Sequence, residues 1–182
     1  MKISKTRLPN GSILKSEEKS FGYLDSFQGV FFDKGNFVSI SEIGRLFFSS
    51  VPNWVEYLFK IRNKIVSLLG LKTSNSLKDR QNRLDNFKFE TGEQFGLFKV
   101  FSKTNNEVIL GEDDKHLNFK VSLFIDKQTN NREIKTLTIS TSVSFKNWFG
   151  NLYFFIVKPF HKIIVPTMLK RIIKNIEGNN NR

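Results

Sequence analysis

The longest periodic stretch of the chain covers residues 147–176, NWFGNLYFFIVKPFHKIIVPTMLKRIIKNI. From Leu152, apolar residues recur at i, i+3, i+4, i+7 and i+8 as Leu152, Phe155, Ile156, Pro159 and Phe160. The row continues through Ile163, Ile164, Met168, Ile172 and Ile176, while Lys158, Lys162, Lys170 and Lys174 fall on a row of fours. That spacing predicts a long amphipathic helix, apolar inward and lysine outward. About 25 helical residues reach nearly 40 Å, enough to cross a whole sheet. Pro159 and Pro166 are expected to kink it.

Upstream the period changes to two. Residues 116–126 place Phe119, Val121, Leu123 and Ile125 on one face; residues 133–145 do the same with Leu137, Ile139, Val143 and Phe145. The second strand's other face reads Thr136, Thr138, Ser140, Ser142 and Ser144, a half-buried antiparallel pair with hydroxyls outward. Shorter strands are expected at 86–90, 95–103 and 107–111, and a first strand at 21–32, broken by Gly29. Between the first strand and the rest, Ser39-x-x-Glu42 forms a capping box for a short helix carrying Ile43, Leu46 and Phe47. A second helix runs from Pro52, welcome in a first turn, to Leu69, with Gly70 as its stop. Residues 72–85 are a polar connection, and residues 1–19, polar and aperiodic, a flexible N-terminal arm. The expected fold class is α+β: one domain over residues 20–178, a curved antiparallel sheet closed by a long C-terminal helix, and a disordered tail at 179–182.

Composition narrows the function classes. A length of 182 residues suits one domain with a substantial core, and 39% hydrophobic with 14% aromatic content argues against disorder. The 20 phenylalanines can fill that core or line an apolar cavity. With no cysteine, disulfides and thiolate metal sites are excluded. The N-terminus has no signal-peptide core, and the apolar run 152–157 falls short of the ~20 residues that span a bilayer. A soluble cytoplasmic protein without a transmembrane segment is expected. The net charge of +12 suggests nucleic acid or an anionic membrane surface, but the cations are scattered, with Lys170, Arg171 and Lys174 the densest group. Nucleic-acid binding is not expected.

Several short segments carry a resemblance. These are Tyr23-Leu24-Asp25-Ser26-Phe27; Pro52-Asn53-Trp54 with Leu58 and Ile61-Arg62-Asn63; Gly70-Leu71; His116-Leu117-Asn118-Phe119; and Gly150-Asn151-Leu152-Tyr153 followed by Pro159-Phe160-His161. In order and spacing they resemble the START and birch-pollen-allergen-like superfamily, also called SRPBCC, and within it a bacterial branch that is a domain of unknown function (DUF2867). The resemblance implies a helix-grip fold, in which a bent sheet holds a long C-terminal helix and two short helices follow the first strand. It also implies a cavity between sheet and helix, used across the superfamily for lipids, sterols, polyketides and other apolar ligands. Some relatives are cyclases or dehydratases, and others only bind. For this branch the resemblance carries no activity.

The candidate chemistry is sparse. Arg62 interrupts the second helix's apolar row Val55, Leu58, Phe59, Ile65, Val66 and Leu69, so it must reach water or a partner such as Asp25, or hold a ligand carboxylate. His116 and His161 are the two histidines, each capable of acid–base work near neutral pH, though neither has a partner fixed by spacing. Trp54 near a helix start and Tyr153 on the long helix are further ligand-binding candidates, with Trp148 another possible gate to the cavity. The tract Glu112-Asp113-Asp114 lacks calcium-loop spacing and reads as a solvated hairpin tip. HExxH, GxSxG, P-loop and GxGxxG motifs are absent. No metal and no cofactor are expected, and the catalytic residues, if any, stay unassigned. The expectation is a protein that binds a small hydrophobic or amphipathic molecule in the cavity. The alternatives are a cyclase- or dehydratase-like enzyme using His161 or His116, and a basic-surface membrane or nucleic-acid binder.

Overall fold

The computed structural model describes residues 2–52, 54–55, 84–127 and 133–179. Seven antiparallel strands form one sheet: β1 (Ile3–Thr6), β2 (Tyr23–Phe32), β3 (Gln94–Phe95), β4 (Phe98–Lys103), β5 (Glu107–Asp113), β6 (Leu117–Lys127) and β7 (Ile134–Phe145). Their order is β1-β2-β7-β6-β5-β4-β3. A register shift between Val100 and Ser102 bends the β4 edge, as an extra residue in one strand does. Helix α1 (Ile40–Ser49) lies over β5 and β6, and the long C-terminal helix α2 (Trp148–Asn179) lies over β1, β2 and β7. The class is α+β, a curved sheet with a long closing helix and a short helix after β2.

Each covering element has a local cause. The Ser39 hydroxyl accepts from the Glu42 N–H at 3.2 Å, one half of the expected capping box, and starts α1. The Asn147 side chain accepts from the Gly150 N–H at 3.1 Å and caps α2. Gly29 does not break β2. It lets α2 come close, since a Cβ there would stand 2.5 Å from Ile173 Cδ1. Between these layers lies the core, with Phe31, Ile43, Leu123, Leu137, Ile139, Leu169, Ile172 and Ile173 almost wholly buried. Near α1 the phenylalanines pack on one another: Phe48 lies 4.7 Å from Phe95 and Phe87 lies 4.5 Å from Phe89, ring centre to ring centre. At the open end of β2, Lys135 donates to the buried carboxylate of Asp33, which also accepts from the Phe37 and Val38 N–H groups.

Four further expectations need correction. The N-terminal stretch is no loose arm: it supplies the edge strand β1 and a 3-10 helix (Ile13–Ser20) laid on the sheet's outer face. There Leu8 and Leu14 pack on Ile109, and few apolar residues suffice because Ser12 is bonded into the sheet. The hydroxyl row of β7 is consequently covered, and Thr138, Ser140 and Ser142 are buried. Residues 86–90 do not form a strand; Phe89 turns at φ 61° and buries its ring beside Gly44.

The fourth correction concerns α2. Met168, Ile172 and Ile176 face inward as expected, but Leu152, Phe155, Ile156, Phe160 and Ile163 face solvent. A row of fours advances about 40° at each step of a helix with 3.6 residues per turn. Six steps carry it most of the way round, so a row that is inside at Ile176 is outside at Leu152. The buried row is Phe154, Val165, Met168, Ile172 and Ile176, with Val157 and His161 half-buried between them. Its spacings run three, four, four and then repeat. The expected second helix at 52–69 and the connection at 72–85 lie largely outside the described residues; within them, the Val55 N–H donates to the Pro52 carbonyl at 2.9 Å.

Candidate functional site

The helix-facing side of β2 is set by Gly29, which abuts α2. Alternation places Tyr23, Asp25, Phe27 and Phe31 on that same side. Register sets Thr141 of β7 directly opposite Asp25, again facing α2. Midway along these rows one carboxylate and one hydroxyl therefore stand opposite each other beneath the helix.

Asp25 is nearly buried and uses both oxygens. The Tyr23 hydroxyl donates to Oδ2 at 2.6 Å, and His161 Nε2 of α2 lies 3.2 Å from Oδ1. The Tyr23 ring leans on Phe154 at 4.6 Å, meets the His161 ring edge-on at 6.1 Å, and takes Lys158 Nζ over its face at 5.2 Å. Burial, then the hydrogen bond to Asp25 and its negative charge, push the Tyr23 hydroxyl well above the usual phenol range. Tyr23 is therefore a fixed donor. The Thr141 hydroxyl beside them is buried and makes no hydrogen bond. Such a group costs about 1–3 kcal/mol.

The five residues singled out from sequence separate. His161 belongs to this cluster, and Tyr153 packs beside it among Leu117, Val143 and Phe154. His116 does not join them. Its Nδ1 lies 3.1–3.3 Å from the Asn147 amide, its ring leans at a tilt on Phe149 at 4.7 Å, and its carbonyl sits where a Cβ on Gly150 would clash at 2.3 Å. Asn147 precedes His161 by fourteen residues, about 20 Å of helix, so the two histidines cannot act together. His116 seats the start of α2 on the β5–β6 hairpin. Trp54 is exposed, and Arg62 lies outside the described residues. Asp25, suggested as a partner for Arg62, is held by Tyr23 and His161. At the hairpin tip, Asp114 accepts from the His116 and Leu117 N–H groups, and Asp113 pairs with Lys146 at 2.6 Å.

Sequence reasoning passed over Tyr23 and Thr141, and a signal for both existed. The inward row of β7 reads Leu137, Ile139, Thr141, Val143, Phe145, and that of β2 reads Tyr23, Asp25, Phe27. A polar side chain in the middle of an alternating apolar row marks a group that must find a partner or leave one missing.

Another buried carboxylate lies on the opposite face of the sheet. Glu107 Oε1 accepts from the Ser12 and Ser122 hydroxyls, both at 2.5 Å, and Oε2 accepts from the Ile13 N–H at 2.7 Å. Every donor comes from the chain itself. Among the described residues no three His, Asp or Glu side chains converge as metal ligands.

Residues 19–168 match the family described as Protein of unknown function (DUF2867). The chain belongs to this family. No curated protein and no solved structure matches it. The DUF2867 match takes in Tyr23, Asp25, Thr141 and His161, and leaves out β1 and most of the N-terminal segment that covers the outer face. The cluster under α2 thus lies within the family's shared segment, whereas Ser12 and Ile13, which complete the Glu107 network, lie before it.

Proposed function

We propose that this DUF2867 chain binds a small amphipathic molecule between the sheet and α2. The polar end sits at Tyr23, Asp25, Thr141 and His161; the apolar body lies along the half-buried side chains of Phe27, Phe119 and Tyr153. One observation carries the reading: the Thr141 hydroxyl is buried without a partner beside a carboxylate that already holds two. A ligand oxygen or nitrogen at that point would take up the hydroxyl and remove its desolvation cost. The half-buried aromatics would contribute about 25 cal/mol for each Å² of apolar surface covered. The sheet-plus-helix architecture is compatible with the helix-grip folds of the SRPBCC superfamily, whose members hold apolar ligands in this place.

Native mass spectrometry of the freshly purified protein tests the reading. The expected result is a discrete added mass that disappears after denaturing extraction. A clean apo mass, together with an unchanged Tm across fatty acids, sterols and polyketides, overturns it.

The contact between His161 and Asp25 favours a second reading, an acid–base enzyme of the cyclase or dehydratase kind. A carboxylate on one ring nitrogen orients the imidazole and leaves the other nitrogen to exchange a proton with a substrate. Turnover of any cyclisable or dehydratable ligand that survives His161→Asn excludes this reading and leaves binding alone.

A further inference from the structure

The first half of α2 carries an apolar strip on its solvent side. Trp148 and Phe155 are 76% and 75% exposed, Ile163 and Ile156 are 59% and 58% exposed, and Leu152 and Phe160 complete the strip. So much large apolar surface on one side of one helix exceeds scattered surface hydrophobics and marks an interaction face. Its continuation is cationic. Lys170 and Lys174 stand seven and eleven residues after Ile163, the spacing that keeps one side of a helix, and both are exposed, as are Arg171 and Lys162. From Trp148 to Ile176 the helix has no Asp or Glu.

We propose that this side of α2 docks on an anionic phospholipid surface. The helix would lie in the plane of the bilayer, with Trp148, Leu152, Phe155, Ile156, Phe160 and Ile163 among the outer acyl segments and Lys162, Lys170, Arg171 and Lys174 on the headgroups. An apolar strip bordered by lysine and arginine, with tryptophan at its end, is the pattern of interfacial helices. Charge selects the occupant. A chain of net charge +12 is drawn to an anionic surface, whereas a second copy would bring the same uncompensated cations together.

Spanning is excluded by the core. By length and composition α2 could cross a membrane over Trp148–Gly178. Its second half, however, is fixed under β2 and β7 by Val165, Met168, Leu169, Ile172 and Ile173. The half that carries the exposed strip, sixteen residues, is about 24 Å long, less than the ~30 Å of a hydrocarbon core. Docking and ligand binding use opposite sides of the helix, and the proposal stands without the ligand.

Co-sedimentation of the full chain with vesicles tests it. The expected result is sedimentation with phosphatidylcholine vesicles containing a quarter phosphatidylglycerol, little with phosphatidylcholine alone, and release by about 0.5 M NaCl. The Phe155→Glu/Ile163→Glu variant should lose more than about tenfold in binding with an unchanged Tm, since both side chains are exposed. Lys170→Glu/Lys174→Glu should weaken anionic binding without creating affinity for neutral vesicles. The proposal is overturned by absence of sedimentation or by equal binding to neutral vesicles. It is also overturned if the Phe155/Ile163 variant unfolds several degrees lower, which would mean the chain's own residues cover the strip, or if it turns a dimer into a monomer.

Discussion

Asp25 and Glu107 are both buried in the sheet, one on each face, and their surroundings differ in one respect. Glu107 meets two hydroxyls and a backbone N–H, and no polar atom among those groups is left over. Asp25 meets a tyrosine and a histidine, with an unbonded hydroxyl directly opposite. The first arrangement is complete without any other molecule. It ties the N-terminal segment to β5 and β6 and is a device of architecture. The second has spare hydrogen-bonding capacity in a place where none is needed for folding. Closed networks hold a fold together, while an open one is where a fold can receive something.

Removing the carboxylate from the closed network has the largest expected effect. Glu107→Ala leaves the Ser12 and Ser122 hydroxyls and the Ile13 N–H without their acceptor, and should cost about 3–5 kcal/mol in urea unfolding. An effect below about 1 kcal/mol would mean that water replaces the carboxylate and that the outer cover is loose.

The halves of α2 repeat the contrast in apolar terms. Ile172 is wholly buried and Phe155 is 75% exposed. Ile172→Ala should cost about 2–5 kcal/mol and Phe155→Ala less than about 0.5 kcal/mol. Equal costs in urea unfolding would show that the outer strip is covered in the folded chain and would remove the reason for assigning it a partner.

How far these differences could be seen in advance depended on what the pattern measures. Alternation predicted β6 because one parity is wholly apolar through Phe119, Val121, Leu123 and Ile125, and β7 because Leu137, Ile139, Val143 and Phe145 keep one parity apolar on either side of Thr141. The hydroxyl parity of β7 gave no sign of its cover, since serine and threonine suit water and a buried hydrogen-bonded face alike; Ser140, for one, is bonded to Ser26 at 2.8 Å. In α2, Phe154 and Phe155 are chemically identical, and only tertiary packing buries the first and exposes the second. The site was half visible. His161 stood out by composition, but its partner Asp25 is 136 residues away and only the register of β2 under α2 joins them.

A smaller effect of opposite sign is expected at the open cluster. Thr141→Val keeps the side chain's shape and removes the unbonded hydroxyl. The ligand-free protein should become more stable by up to about 1 kcal/mol in urea, because nothing is lost in exchange for the desolvation relieved. Any bound molecule should be held less tightly, as read by the Tm increment it produces. Destabilisation of the ligand-free variant by more than about 1 kcal/mol would show that the hydroxyl has a partner after all, and the contrast between Asp25 and Glu107 would then disappear.

The smallest effect lies in the alkaline limb of stability. The Tyr23 hydroxyl is held above its ordinary pKa by burial and by the Asp25 carboxylate, so the folded chain keeps this proton more tightly than the unfolded chain. Below about pH 10, where an unfolded tyrosine is still protonated, this preference contributes in full. As pH rises past that value the unfolded chain releases the proton first, and stability falls until folded Tyr23 also ionises. The slope should stay well under the one-proton limit of about 1.4 kcal/mol per pH unit, because Tyr23 is only half-buried and solvent screens it. Urea unfolding between about pH 9 and 11 should therefore show a shallower decline in Tyr23→Phe than in the parent. If Tyr23→Phe leaves the slope unchanged, the proton is not held by Asp25, and the polar end proposed for the ligand loses its fixed donor.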